Sequence, residues 1–191
     1  MKVKYSILFF LLALVVVLAL KNPKQEVPKS VRISKEELGK LLFFEKALSL
    51  DSTVSCSSCH IPAFAFSDTT SLSDGVHGKL GLRNAPGIMN LHANEPMFYD
   101  GRAKDLVDQV HFPIQDPNEM NLAMLEVVKR LNNDPEYKNF FNSTFHSDAN
   151  EANIAEAIAA YELTLQTSNT PFDAFMSGDE SAISESAKRG R

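Results

Sequence analysis

Tryptophan is absent from this 191-residue sequence, which excludes any role for an indole ring, and cysteine occurs only twice. Two cysteines cannot build a disulfide framework or the four-thiolate shell of a structural zinc site. Neither lies near residue 20, which excludes a lipid-modified cysteine at the end of the leader. Basic clusters are missing as well. The formal charge is −5, becoming −7 if Lys2 and Lys4 leave with the leader, and this acidity argues against nucleic acid as a partner. Strand-like alternation is scarce around the cysteines, so a thioredoxin-type dithiol has no βαβ unit to sit in.

One long apolar run is present, Tyr5 to Leu20, preceded by Lys2 and Lys4. Residues 1–20 therefore read as a signal peptide or an N-terminal membrane anchor. The run is short for a spanning helix, which needs about 20 residues, yet no small-x-small cleavage pattern follows it, so both readings stand. Either one exports the rest of the chain. Residues 21–33 are polar, with Pro23 and Pro28, and form a linker. The roughly 160 residues beyond are the size of one domain.

Both cysteines fall in Cys56-Ser57-Ser58-Cys59-His60. This is the spacing at which two thioether bonds and an axial imidazole attach a haem covalently. Zinc would find only three ligands on a loop too short to close a tetrahedron. A disulfide across so short a loop would remove little unfolded-state entropy and would leave His60 without a role.

The surrounding pattern predicts an all-α fold with long irregular loops wrapping one haem. Ser34-Lys35-Glu36-Glu37 is a capping box, predicting a helix with Leu38, Leu41 and Leu42 on its apolar stripe that ends near Leu48. Asp51 to Asn94, rich in Gly, Pro, Ser and Asp, reads as irregular chain. A short helix is expected from Ala103 to about His111, stopped by Pro113. Another is expected over Asn121 to Leu131, with Leu122, Leu125, Val128 and Leu131 as its apolar positions. Asp134-Pro135 reads as an N-cap followed by proline at the first helical position. The last strong helix runs from about Glu151 to Gln166, with Ile154, Ile158, Tyr161 and Leu165 on one face.

Several separated blocks then agree in order with one family. Leu38 to Phe44 (LGKLLFF), Ser55 to His60 (SCSSCH), Ala65 to Asp68 (AFSD), Arg83 to Pro86 (RNAP), Tyr99 to Ala103 (YDGRA) and Pro113 to Met120 (PIQDPNEM) resemble the bacterial dihaem cytochrome c peroxidases, which include the MauG-type enzymes. The resemblance is collinear over about residues 34 to 190 and is to the N-terminal half, which holds the peroxide-reacting haem. It implies a cytochrome c-like haem domain at 34–185, with 186–191 as the start of a second haem domain; the sequence itself contains a single CxxCH.

The resemblance also implies roles. Cys56 and Cys59 would carry haem c, with His60 as its proximal iron ligand. His77, in Asp74-Gly75-Val76-His77-Gly78, would be the distal ligand that swings away on activation, with glycines making the swing inexpensive. His92, His111, His146, Met89 and Met97 are weaker candidates for that sixth position. Glu119 would be the acid and base at the peroxide, and Gln109 would hold peroxide or water; without the resemblance, Glu119 reads as a cap for the helix near Asn121. Asn84 would be a calcium ligand. Tyr99 stands where the family commonly has tryptophan as a relay between haems. Asp100 and Arg102 would pair locally or meet a haem propionate.

Two functions compete. One is a haem peroxidase domain that reduces hydrogen peroxide to water with electrons from a small reduced cytochrome or cupredoxin, in the periplasm or tethered to the inner membrane. The other is a monohaem electron-transfer or haem-binding module, held by His60 and His77, without turnover.

Overall fold

The computed structural model describes residues 32–93 and 95–190. The leader at 1–20, most of the linker at 21–33, and Arg191 lie outside the described residues. No helix among the described residues is long and apolar enough to cross a membrane.

The described residues form α1 (Lys35–Phe44), α2 (Cys56–Cys59), α3 (Leu106–Gln109), α4 (His111–Gln115), α5 (Met124–Asn133), α6 (Pro135–Phe145), α7 (Glu151–Leu163), α8 (Pro171–Met176) and α9 (Glu185–Arg189). Long loops join them, and β structure among these residues is limited to the isolated bridges Ile61/Ser67, Asp74/Leu80 and Met97/Ala103. The fold is all-α, as the sequence predicts.

Helix α1 starts at its capping box: the Glu37 N–H donates to Ser34 Oγ at 3.1 Å and the Ser34 N–H donates to Glu37 Oε2 at 2.7 Å. It ends at Phe44, short of the expected Leu48. Glu45 takes an extended conformation, and its carboxylate accepts the Ala47 N–H at 2.8 Å, starting a separate 3₁₀ turn over Lys46–Leu48. Leu38, Gly39, Leu42 and Phe43 are the buried face, while Leu41 is 43% exposed.

That face lies against α7, which is capped by the reciprocal pair Asn150 and Asn153 at 2.8 and 3.0 Å. The two helices cross at Gly39. A Cβ there would lie 1.8 Å from the Ala157 carbonyl oxygen and 2.9 Å from Tyr161 Cβ, so only glycine permits the approach. Beside the crossing, Phe43 and Tyr161 pack edge to face with centroids 5.2 Å apart, a favoured aromatic geometry.

Helices α5 and α6 close the other side of the core. Asp134 accepts from the Glu136 and Tyr137 N–H groups, with Pro135 at the first helical position. In α5 the apolar face is Met124, Val127 and Leu131; Leu125, placed on the stripe by the sequence reading, is 76% exposed. The helix starts at Met124 after an extended Ala123, and that start sets the phase. Arg130 of α5 donates to the carbonyl oxygens of Ala47, Ser49 and Leu50 at 2.8 to 3.2 Å, clamping the loop that leads to the cysteines.

Pro113 does not stop a helix. Asp105 caps α3 through the Asp108 N–H at 2.8 Å, the backbone stays helical through Val110 at φ −54° and ψ −33°, and Pro113 then lies inside α4. The missing N–H falls in the first turn of that short helix, where proline is tolerated.

Replacing Gly39 by alanine forces α1 and α7 apart. Gly39→Ala should lower the unfolding free energy by about 1–3 kcal/mol in urea denaturation; an unchanged midpoint would mean that the crossing is not tight.

Candidate functional site

Cys56 and Cys59 occupy one short helical turn. It is tied at its start by the Ser58 N–H to the Ser55 carbonyl (3.0 Å) and by the Ser55 N–H to Ser58 Oγ (3.0 Å), and at its end by the His60 N–H to the Cys56 carbonyl (3.0 Å). Spacing of three residues puts both thiols on the same side of the turn. They form no disulfide with each other. Burial pushes both thiols up from their ordinary pKa, so neither is a ready nucleophile.

These residues and His60 line one side of a cleft of about 570 Å³, open mouth included. Asp74–Gly75, Gln109, Pro113 and Asn118–Met120 line it too, as do Ile158 and Glu162 of α7. The 74–79 loop is laced to the 118–119 turn. The Val76 N–H donates to the Glu119 carbonyl at 2.8 Å, and a Cβ on Gly75 would sit 2.0 Å from the Asn118 carbonyl oxygen.

The residues fit a covalently attached haem. Besides the two unpaired thiols beside His60, His60 Nδ1 is buried without a hydrogen bond. Burial lowers the imidazole pKa, with backbone groups of Phe66 and Pro86 and the Asp68 carboxylate opposing more weakly. Those backbone groups lie near enough to act on its charge, but none closes a hydrogen bond on Nδ1. A buried imidazole held neutral suits an iron ligand.

Glu119 and Gln109 line the same cleft as His60, which brings together the groups to which the resemblance gives roles in peroxide chemistry. Glu119 does not cap a helix: the N-cap of α5 is Ala123. Burial raises the Glu119 pKa, the Asp116 carboxylate raises it further, and Arg102 pulls it back. Glu119 and Pro113 also border a second, wider cleft with Phe98, Arg102, His111, Phe112 and Asp116.

His77 is placed differently. Its side chain is 60% exposed and is not among the cleft-lining residues; Nδ1 lies 3.3 Å from Asp51 Oδ2, and its N–H donates to the same oxygen at 3.2 Å. His77 and Gly78 both have left-handed backbones, at φ 57° and 68°. None of His92, His111, His146, Met89 or Met97 lines this cleft. His146 forms the left-handed C-cap of α6, and Met97 is buried in the core beside Phe43 and Tyr161.

Asn84 is exposed and donates to the Thr70 carbonyl at 3.0 Å. No group of three or more His, Cys, Asp or Glu among the described residues is arranged to hold a metal ion. Arg102 pairs with Asp100 at 2.8 Å and stacks over Phe98 at 3.6 Å, so the local pair is formed. Tyr99 is 67% exposed.

Sequence reasoning missed Glu162. It is 5% exposed, lines the cleft, and has Oε2 buried without a partner; burial lifts its pKa to about 8. The signal was available, since Glu162 stands one helical turn after Ile158 on a face that is otherwise apolar.

The sequence profile of di-haem cytochrome c peroxidases matches residues 33–181. The chain belongs to this family. Among curated members, the cytochrome c551 peroxidase of Pseudomonas aeruginosa is 39% identical over 157 residues, 81% of this chain and 45% of that protein. The methylamine utilization protein MauG of Methylorubrum extorquens is 39% identical over 168 residues, 85% of this chain and 47% of that protein. The cytochrome c peroxidase Ccp of Escherichia coli is 36% identical over 172 residues, 88% and 37% of the two. The chain thus spans about half the length of the curated relatives it matches. A crystal structure of a MauG-like protein associated with microbial copper homeostasis superposes with a TM-score of 0.67 at 28% identity, covering 88% of this chain and 54% of that one. The family is one of c-type haem proteins, which agrees with the donor set around His60.

The contact between the 74–79 loop and the Glu119 turn depends on a residue without a side chain. In Gly75→Ala the Val76 amide, whose acceptor is the Glu119 carbonyl, should exchange hydrogen faster while amides at the α1–α7 crossing keep their protection. Unchanged Val76 exchange would show that the lacing tolerates a side chain.

Proposed function

We propose that residues 34–185 are the peroxide-reacting haem domain of a cytochrome c peroxidase, with hydrogen peroxide as substrate and a small reduced cytochrome or cupredoxin as electron donor. The observation that carries this reading is the placing of Glu119 and Gln109 in one cleft with Cys56, Cys59 and His60. Residues 186–191 are read as the start of a further domain. Residues 1–20 are read as the leader that exports the protein to the periplasm, either cleaved or tethering it to the inner membrane.

Cys56 and Cys59 would hold one haem c by thioethers, and His60 would be its proximal ligand. The bound haem would supply the redox chemistry, passing two electrons to the peroxide. Heterolysis of an O–O bond needs a group that takes a proton from one oxygen and returns it to the departing one. Glu119 supplies that group from the cleft wall. Its raised pKa keeps the proton poised nearer neutrality than an ordinary carboxylate would. Gln109, the last residue of α3, offers an amide that can donate to a peroxide oxygen and accept from its O–H without titrating. Glu119 also reaches the second cleft, which gives its proton a route to solvent.

His77 would serve as the distal ligand in a resting form. Entering the cleft requires breaking its contact with Asp51 and rotating a loop in which Gly78, left-handed at φ 68°, has the conformational freedom to change. Asn84 would contribute to a calcium site, with further oxygen ligands from elsewhere. The monohaem electron-transfer reading draws on the single CxxCH of the sequence and on the two imidazoles, His60 and His77, that would close the iron on both sides.

The readings separate on turnover. Peroxide-dependent oxidation of a reduced cytochrome should fall by about 10²–10⁴-fold in Glu119→Ala. Equal rates in the two proteins remove Glu119 from the mechanism, and no rate in either favours the electron-transfer module. Because the proton-accepting carboxylate is the active form and burial raises its pKa, the rate should rise with pH on a limb above the ordinary carboxylate range; an acid limb within that range would contradict the assignment. If His77 closes the iron, the oxidised protein should be low-spin and should turn high-spin in His77→Gly. An unaltered spectrum would exclude His77 as the ligand.

A further inference from the structure

The cleft holds one carboxyl group that the peroxide chemistry does not use. Glu162 is in the penultimate position of α7, on the helix that Gly39 and Ala157 pin against α1, so its backbone is fixed at the cleft. The residue is 5% exposed, and its Oε2 has neither a hydrogen-bond partner nor contact with solvent. An isolated carboxylate in such a position is costly, so the group must either bind a proton or find a positive charge. The side chains facing it offer none. Around the cleft stand the Cys56 and Cys59 thiols of α2, the His60 imidazole that follows them and that burial biases toward its neutral form, Asp74 of the 73–75 loop, Gln109 and Glu119, and on its own helix the neighbouring phenol is Tyr161. No lysine or arginine lines the cleft.

The charge that changes in this cleft is that of the haem iron, which rests on the haem site proposed above. A ferric porphyrin carries one net positive charge at its centre, and a ferrous one carries none. An anionic Glu162 is therefore compensated in the oxidised protein and uncompensated in the reduced one.

We propose that Glu162 is the redox-linked proton acceptor of the haem cleft. One electron from the donor reduces Fe(III) to Fe(II), and one solvent proton binds the Glu162 carboxylate to give the neutral acid; oxidation reverses both. Charge in the buried cleft is then conserved through the redox step. Burial alone already raises the Glu162 pKa to about 8, so the coupling falls near neutral pH and above it.

The test is the haem midpoint potential of the haem-loaded full chain, titrated optically between about pH 6 and about pH 10, a window that brackets the raised pKa. The wild-type potential should fall with rising pH, approaching about 59 mV per unit, the one-electron equivalent of a tenfold change. Glu162→Gln, which keeps the shape but cannot titrate, should flatten that dependence, and Glu119→Gln should keep it. A flat wild-type profile, a slope that survives in Glu162→Gln, or a slope lost only in Glu119→Gln overturns the proposal.

Should Glu162→Gln fail to load haem, the reduced-minus-oxidised infrared spectrum of the wild type decides. It must show a gained carboxylic-acid C=O band that shifts in D₂O; its absence overturns the proposal. A chain without the absorption spectrum of attached haem fails the underlying site reading and this inference together, whereas a haem-loaded chain with a pH-independent potential fails this inference alone.

Discussion

Helices α1 and α7 approach so closely at Gly39 that one added methyl would overlap the Ala157 carbonyl, and the placing of the site follows from that contact. A close crossing lets two short helices bury Leu38, Leu42, Phe43, Ile154 and Ile158 against each other without a sheet behind them. It also fixes the α7 face that carries Ile158 and Glu162, which both line the cleft. Loops bring the rest: Arg130 holds the approach to Cys56 by three backbone carbonyls, and Gly75 lets the 74–79 loop meet the turn before Glu119. Irregular chain is thus held in place by a few strong contacts at each end.

The cleft is acidic by construction. Asp74, Glu119 and Glu162 line it and no lysine or arginine does, while the nearest guanidinium to act on it, Arg102, stacks on Phe98 in the second cleft. Burial raises the pKa of Glu119 and of Glu162, and such a site favours a positively charged centre. The two buried acids differ in access. Glu119 borders both clefts and can exchange its proton outward, whereas Glu162 is enclosed and responds to the charge inside. His77 stays outside, held by Asp51.

Features that depend on local chemistry were legible in the sequence. The caps at Ser34 and Asp134 and the buried face of α7 follow from neighbouring residues alone, whereas the helical turn at Cys56–Cys59 lies in a stretch that reads as irregular chain. Features that depend on distant partners were not. The phase of α5 is set by where Ala123 leaves the helix, which exposes Leu125 and buries Val127. Pro113 sits within α4 because the backbone stays helical from α3 through Val110 and past the proline. Gln109 and Glu119 could be paired only through a resemblance, since ten residues of irregular spacing carry no contact information; the folded chain puts both in one cleft. Glu162 went unread because a glutamate near a helix end ordinarily faces water, although its place one turn after Ile158 puts it on the buried face of α7.

The chain covers about half the length of relatives such as the cytochrome c551 peroxidase of Pseudomonas aeruginosa, and the account here rests on this half alone. Its central claim is that Cys56 and Cys59 fix a haem in the cleft that His60, Glu119 and Glu162 share. The most direct measurement is the mass of the full chain under denaturing conditions after expression with a c-type haem-attachment system, beside that of the Cys56→Ala/Cys59→Ala double variant. The account predicts that the wild type retains the mass of one haem and that the double variant does not. A wild-type mass equal to that of the bare polypeptide would contradict it.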